Sequence, residues 1–124
     1  MISIDYQNRI PIYEQIVEKF QMLIVKGILP TGSKMPSVRS LAIDLSINPN
    51  TIQKAYAVLE QQGYIYPIKG RGNFVAERGA LVRQKKEKFL EELELLLQQG
   101  KEIGITWEEC EAIIKNSYEK GGNQ

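Results

Sequence analysis

Histidine is absent from the 124-residue chain, and cysteine occurs once, at Cys110. The first absence removes the usual imidazole base and the commonest zinc ligand. The second excludes an internal disulfide and any cysteine cluster, so neither a metal site nor a cofactor is expected. Long apolar runs are missing too. Stretches such as Met22-Leu23-Ile24-Val25 fall far short of the ~20 residues that span a bilayer. The opening residues, Ile2 to Arg9, lack the basic start and apolar centre of a secretory signal. A soluble, cytoplasmic protein without a membrane partner is the expectation. Bulk charge of one sign is also lacking. With 16 Lys+Arg against 15 Asp+Glu the net charge is +1, so an anionic partner must be met by local placement of charge.

That placement is uneven. Residues 1–78 carry nine Lys/Arg and six Asp/Glu, whereas residues 79–124 carry seven and nine. The first segment is therefore the better candidate for an anionic partner. At 43% hydrophobic the chain has enough apolar residues for a folded domain, and its length suits one small domain plus an appendage.

The hydrophobic pattern predicts five helices and one hairpin. Pro11 opens the first helix, with Ile12, Ile16, Phe20, Leu23 and Ile24 on one face and Gly27 as its stop. Pro30 to Ser33 reads as a turn cluster. Met35-Pro36-Ser37 starts a second, shorter helix with Ser37 as N-cap and Val38, Leu41, Ala42 and Leu45 as its apolar stripe. Asn48 followed by Pro49 is a second start signal, for a third helix to about Gln62 that buries Ile52, Ala55, Tyr56, Val58 and Leu59. Strands over residues 64–68 and 73–75 flank a Lys69-Gly70-Arg71-Gly72 turn. A long helix over residues 76–99 is expected to break at Gly100 and Gly104. Thr106 and Glu109 then form a capping box for a last helix. Residues 121–124 are expected to fray. Leu41, Leu45, Ile52, Leu59, Ile65 and Phe74 are expected in the core, and Tyr13 and Tyr56 as core or cap residues.

Three short helices followed by a hairpin outline a winged helix-turn-helix. The fold class is mainly α with a small β-hairpin, plus a two-helix C-terminal tail. The start of the third helix presents Asn48, Asn50, Thr51, Gln53 and Lys54. Asn and Gln can read adenine edges bidentately, and Thr can touch bases or phosphates. A helix N-terminus also offers free N–H groups to a phosphate. Arg39 adds a fork that matches guanine or phosphate. Lys69 and Arg71 make a basic hairpin tip suited to a minor groove.

Several motifs fall in one order: Pro11-Ile-Tyr-Glu-Gln-Ile16, Gly27-Ile-Leu29, Gly32-Ser-Lys-Met-Pro-Ser-Val-Arg39, Leu41-Ala42, Ile47-Asn-Pro-Asn-Thr-Ile52, Ala55-Tyr56, Leu59, Gly63-Tyr-Ile65 and Gly70-Arg-Gly-Asn-Phe-Val75. Over about residues 9–76 this resembles the GntR family of bacterial transcription regulators. The short remainder resembles the tail of its YtrA subfamily, which serves mainly for dimerisation. The resemblance implies that Arg39 contacts a base and Ser37 a nearby phosphate. Asn48, Asn50, Thr51 and Gln53 would line the recognition helix, and Lys69, Gly70 and Arg71 would enter the minor groove. Val38 and Pro49 depart from the family, which commonly has Glu before the arginine and a basic or polar residue in place of the proline. The implied targets are the protein's own operon and a neighbouring transporter operon.

These readings divide the chain into a DNA-binding domain, 1–76, and a dimerisation tail, 77–124. Val82, Phe89, Leu90, Leu93, Leu96, Leu97, Trp107, Ile113 and Ile114 are the candidate interface. That stripe could pack on the last helix of the same chain or on a second subunit. Two helices have little apolar surface to hide alone, which favours a homodimer. Such a dimer calls for an inverted-repeat operator and, most simply, repression. Residues 76–81 would be the hinge between lobes. A small-molecule effector is unassigned. A protein- or RNA-interaction module is the alternative function. Catalysis is excluded, since the glutamates at 91, 92, 94, 108, 109 and 111 have no nucleophile or base placed beside them.

Overall fold

A computed structural model of the chain describes residues 2–121. The helices α1 (Ile12–Val25), α2 (Val38–Leu45) and α3 (Pro49–Gln61) are followed by strands β1 (Ile65–Ile68) and β2 (Gly72–Val75). Two further helices, α4 (Arg78–Glu102) and α5 (Trp107–Gly121), complete it. Residues 122–124, part of the segment expected to fray, lie outside the described residues. The chain forms two compact units that meet between Gln84 and Lys85, inside α4.

In the first unit α1 and α2 pack on α3, and β1 follows α3 directly. Fully enclosed Ile16, Phe20, Ile24, Ile52, Leu59 and Val75 form the centre of its core. Leu41 and Ile65 are buried as expected and Leu45 is half-buried against them, whereas Phe74, expected in the core, is half-buried outside it and pairs with Tyr66 on the hairpin. Phe20 and Tyr56 meet edge to face, with centroids 5.9 Å apart. The Tyr56 hydroxyl donates to Pro36 O at 2.6 Å, which fixes the entry to α2. Buried Gln15 ties the lead-in segment down: its amide donates to Asp5 O and Ile10 O, and its carbonyl accepts from Asp5 N.

The turn between α2 and α3 depends on Ser46, whose φ of 53° and ψ of 46° are left-handed. Its N–H donates to Ile43 O, and the next N–H, of Ile47, donates to Ala42 O. These two bonds satisfy the last carbonyls of α2 and reverse the chain into Asn48.

The hairpin pairs Ile65 with Val75 and Ile68 with Gly72. Pro67, with no N–H to give, lies on the edge strand β1, where a missing donor is tolerated. On the other edge of β2 the segment around Lys34 forms a bridge to Phe74. Met35 N donates to Asn73 O and Val75 N to Ser33 O, at 2.8 and 2.9 Å. Ser33 and Met35, read from sequence as the end of a turn cluster and the approach to a helix, thus flank an isolated bridge to β2, and α2 begins at Val38 behind its expected N-cap Ser37.

Residues 76–81, the expected hinge, are tied to the first unit. Ala76 N donates to Tyr64 O, Arg78 N to Thr31 Oγ1, and Arg78 Nε to Val25 O. The Glu77 carboxylate accepts from Gly79 N and Ala80 N, and these bonds hold its pKa below the usual carboxylate value. Leu81 is buried in the same core.

In the second unit α4 runs through Gly100 and ends before Gly104, whose φ is 87°. Ile105 N donates to Gly100 O and Gly104 N to Lys101 O. Gly100 is therefore no helix breaker. It is the place where the Ile105 side chain folds back, with Ile105 Cβ 3.4 Å from where a Cβ on residue 100 would stand. The capping box forms as expected: Thr106 N donates to Glu109 Oε1, and Glu109 N donates to Thr106 Oγ1. Beyond this turn α4 and α5 barely touch among the described residues.

Candidate nucleic-acid interface

The outer face of α3 follows from its inner one. Ile52, Ala55, Tyr56 and Leu59 are buried, so Asn50, Gln53, Lys54 and Ala57 fall on the exposed side at helical spacing. Ala57 is absent from the residues expected at the interface, although the same three- and four-residue spacing places it there. Its methyl extends the stripe with a group that can contact a thymine methyl.

The expected residues divide by what their atoms already do. Asn48 is the N-cap of α3, and its Oδ1 accepts from Asn50 N at 2.8 Å. Its amide nitrogen is the group left for a partner. Ser37 is the N-cap of α2, and its Oγ accepts from Ser40 N at 3.0 Å. The Ser37 hydroxyl proton is left to donate to a partner, and a phosphate oxygen would suit it. Arg39 and Gln53 are exposed, and Thr51 is half-buried. Lys54 leans on α1, with Nζ 4.0 Å from the Tyr13 ring centroid.

Lys69, Gly70 and Arg71 are all exposed at the tip of the hairpin. Arg71 N donates to Ile68 O at 2.9 Å, closing the turn. Behind the tip Tyr66 and Phe74 pair across the strands with centroids 6.1 Å apart. The isolated bridge brings in Lys34, another exposed cation, which sequence alone places between the turn cluster and the start of α2.

The candidate dimer residues have a different setting. Phe89, Leu90, Leu96 and Leu97 on α4 are exposed, as are Trp107, Ile113 and Ile114 on α5. Val82 and Leu93 are half-buried. Trp107 is 68% exposed and Ile113 66%, values foreign to apolar side chains of a finished core. Separately, a shallow groove of about 400 Å³ runs along α1, lined by Met22, Leu23 and Ile28 with Lys19 and Lys26 beside them. No helix among the described residues is long and apolar enough to cross a membrane.

Residues 12–75 match the family described as bacterial regulatory proteins, gntR family. The chain belongs to the GntR family. It is a transcriptional regulator with a winged-helix DNA-binding domain, and its relatives are regulators rather than enzymes. It is 39% identical to the HTH-type transcriptional repressor YtrA of Bacillus subtilis, with 100% of this chain and 98% of that protein covered. A solved GntR family transcriptional regulator from Listeria monocytogenes is 36% identical with a TM-score of 0.74, covering 91% of this chain and 98% of that one. The AraR DNA-binding domain, crystallised in complex with operator ORR3, is 29% identical with a TM-score of 0.53, covering 61% of this chain and 92% of that one. The GntR match ends at Val75, and the likeness to YtrA continues through α4 and α5.

Proposed function

We propose that the protein is a cytoplasmic, homodimeric repressor that binds an inverted-repeat operator. Residues 1–76 act as the DNA-binding domain and residues 77–124 as the dimerisation tail. The observation that carries this reading is the tail itself. Two helices that scarcely touch each other, with Phe89, Leu96, Trp107 and Ile113 largely exposed, have no core of their own. A second copy covers the same stripe with the same stripe, as an isologous contact requires.

Two heads held in this way present two α3 helices to successive major grooves, about 10 bp apart. Arg39, Asn50 and Gln53 read base edges there. Ser37, Asn48, Thr51 and Lys54 hold flanking phosphates, aided by the positive N-terminal end of α3. Lys69, Gly70 and Arg71 follow the minor groove. Linking the heads converts the second binding event into an intramolecular one, so two weak contacts become one tight one. The names of its relatives support repression, and the protein's own operon with a transporter operon is the proposed target.

Fluorescence anisotropy on the DNA flanking the gene tests this. At ~0.15 M salt, near physiological strength, that duplex should be preferred clearly over a scrambled one. Arg39→Ala and Gln53→Ala should each weaken the preferred complex by about 1–3 kcal/mol. Equal affinity for both duplexes refutes sequence-specific binding.

A further inference from the structure

We infer that Lys34 is a third cation of the wing and that it grips a backbone phosphate beside the minor groove, an inference that rests on the DNA-binding reading above. The position is built by three features. The bridge to Phe74, with hydrogen bonds on both sides of it, pins the Lys34 backbone against β2. The lysine stem then lies across Gly72: a Cβ there would stand 3.2 Å from Lys34 Cε and 4.0 Å from Nζ. The ammonium thus reaches the base of the hairpin tip, where Lys69 and Arg71 are one turn of chain away.

Gly72 is the piece that makes this possible. Its φ of 109° disfavours any other residue, and a side chain there would crowd the lysine stem. A cation on backbone pinned by a bridge loses less freedom on binding than one on a loose turn. The ammonium is a point charge, and phosphate is the partner such a charge serves without regard to sequence. Arg39 and Gln53 face base edges, so Lys34 contributes affinity and salt dependence rather than sequence choice.

The test follows binding of the full chain to a fluorescent random-sequence duplex by anisotropy, between ~0.05 and ~0.3 M KCl, where each phosphate contact adds about 0.9 to the salt slope. Lys34→Ala and Lys34→Gln should each lower the slope by about 0.9 for every head bound and weaken binding roughly five- to tenfold per head at ~0.1 M salt. The loss should be the same on specific and random DNA. Lys34→Arg should keep the slope. Lys19→Ala, an exposed lysine on α1, should leave it unchanged. Melting curves of each variant confirm that the fold is intact.

If wild type binds with a clear salt slope and both neutral variants match it, Lys34 touches no phosphate and the inference is overturned alone. A loss confined to specific DNA also overturns it, because the residue would then be reading sequence. If wild type binds no duplex at any salt, the DNA-binding reading falls and takes this inference with it.

Discussion

Lys54 and Tyr13 form a cation–π pair between α3 and α1, with the lysine Nζ 4.0 Å from the ring centroid. The pair secures the flank of the recognition helix to the first helix. The Tyr13 hydroxyl donates to Glu14 Oε1 at 3.2 Å, and that bond, then the carboxylate's charge, raises its pKa. In a double-mutant cycle under urea, Tyr13→Leu and Lys54→Ala should couple by about 0.5–1 kcal/mol. Strictly additive losses would show that the contact contributes nothing.

Burial raises the Tyr56 phenol pKa well above its ordinary value of 10.0, and burial raises Tyr64 as well. The folded protein therefore keeps protons that the unfolded chain releases above pH ~10. The associated stability is fully present below that pH and is lost as pH climbs toward the folded value. Melting temperature should decline above pH ~10, and Tyr56→Phe should flatten the decline. At neutral pH the same variant should cost about 1 kcal/mol for the lost bond to Pro36 O. An equally steep alkaline decline in the variant contradicts the assignment.

Ser46 holds a left-handed conformation that a side chain makes costly. Ser46→Gly should stabilise the protein by about 1 kcal/mol, and Ser46→Val should destabilise it by at least as much. Chemical denaturation reads both. Destabilisation by glycine would mean that the serine hydroxyl has an important partner.

The exposed tail stripe makes a prediction about mass. Phe89→Asp with Leu96→Asp should leave the head folded, since both residues lie outside its core. Sedimentation equilibrium should change from twice the chain mass to the single-chain 14.1 kDa. Affinity for the operator should fall by roughly 100-fold or more as avidity disappears. Wild type sedimenting as a single chain at micromolar concentration would contradict the dimer.

Local chemistry made most of the fold readable in the sequence. Asn48 with Pro49 marks the start of α3, Thr106 with Glu109 marks α5, and the glycine turn at 70–72 marks the hairpin, because each signal acts within a few residues. Contacts distant in sequence were not readable. The bridge at Lys34 exists only through its pairing with residue 74, and no local period announces a single bridge. Arg78 reaches back 53 positions to Val25 O, which turns an expected hinge into an anchored segment. Gly100 stays helical because Gly104 and Ile105 close the helix beyond it. At the interface, residue types, faces and the caps Ser37 and Asn48 were legible, but the reach of Lys54 to Tyr13 was not, because it depends on how α3 lies on α1.

Selection of bound duplexes from a random-sequence library by the full chain tests the central claim most directly, that paired heads read DNA at a fixed separation. The account predicts enrichment of an inverted repeat whose half-sites lie about 10 bp apart, centre to centre. Enrichment of an isolated half-site, or of no sequence at all, would contradict it.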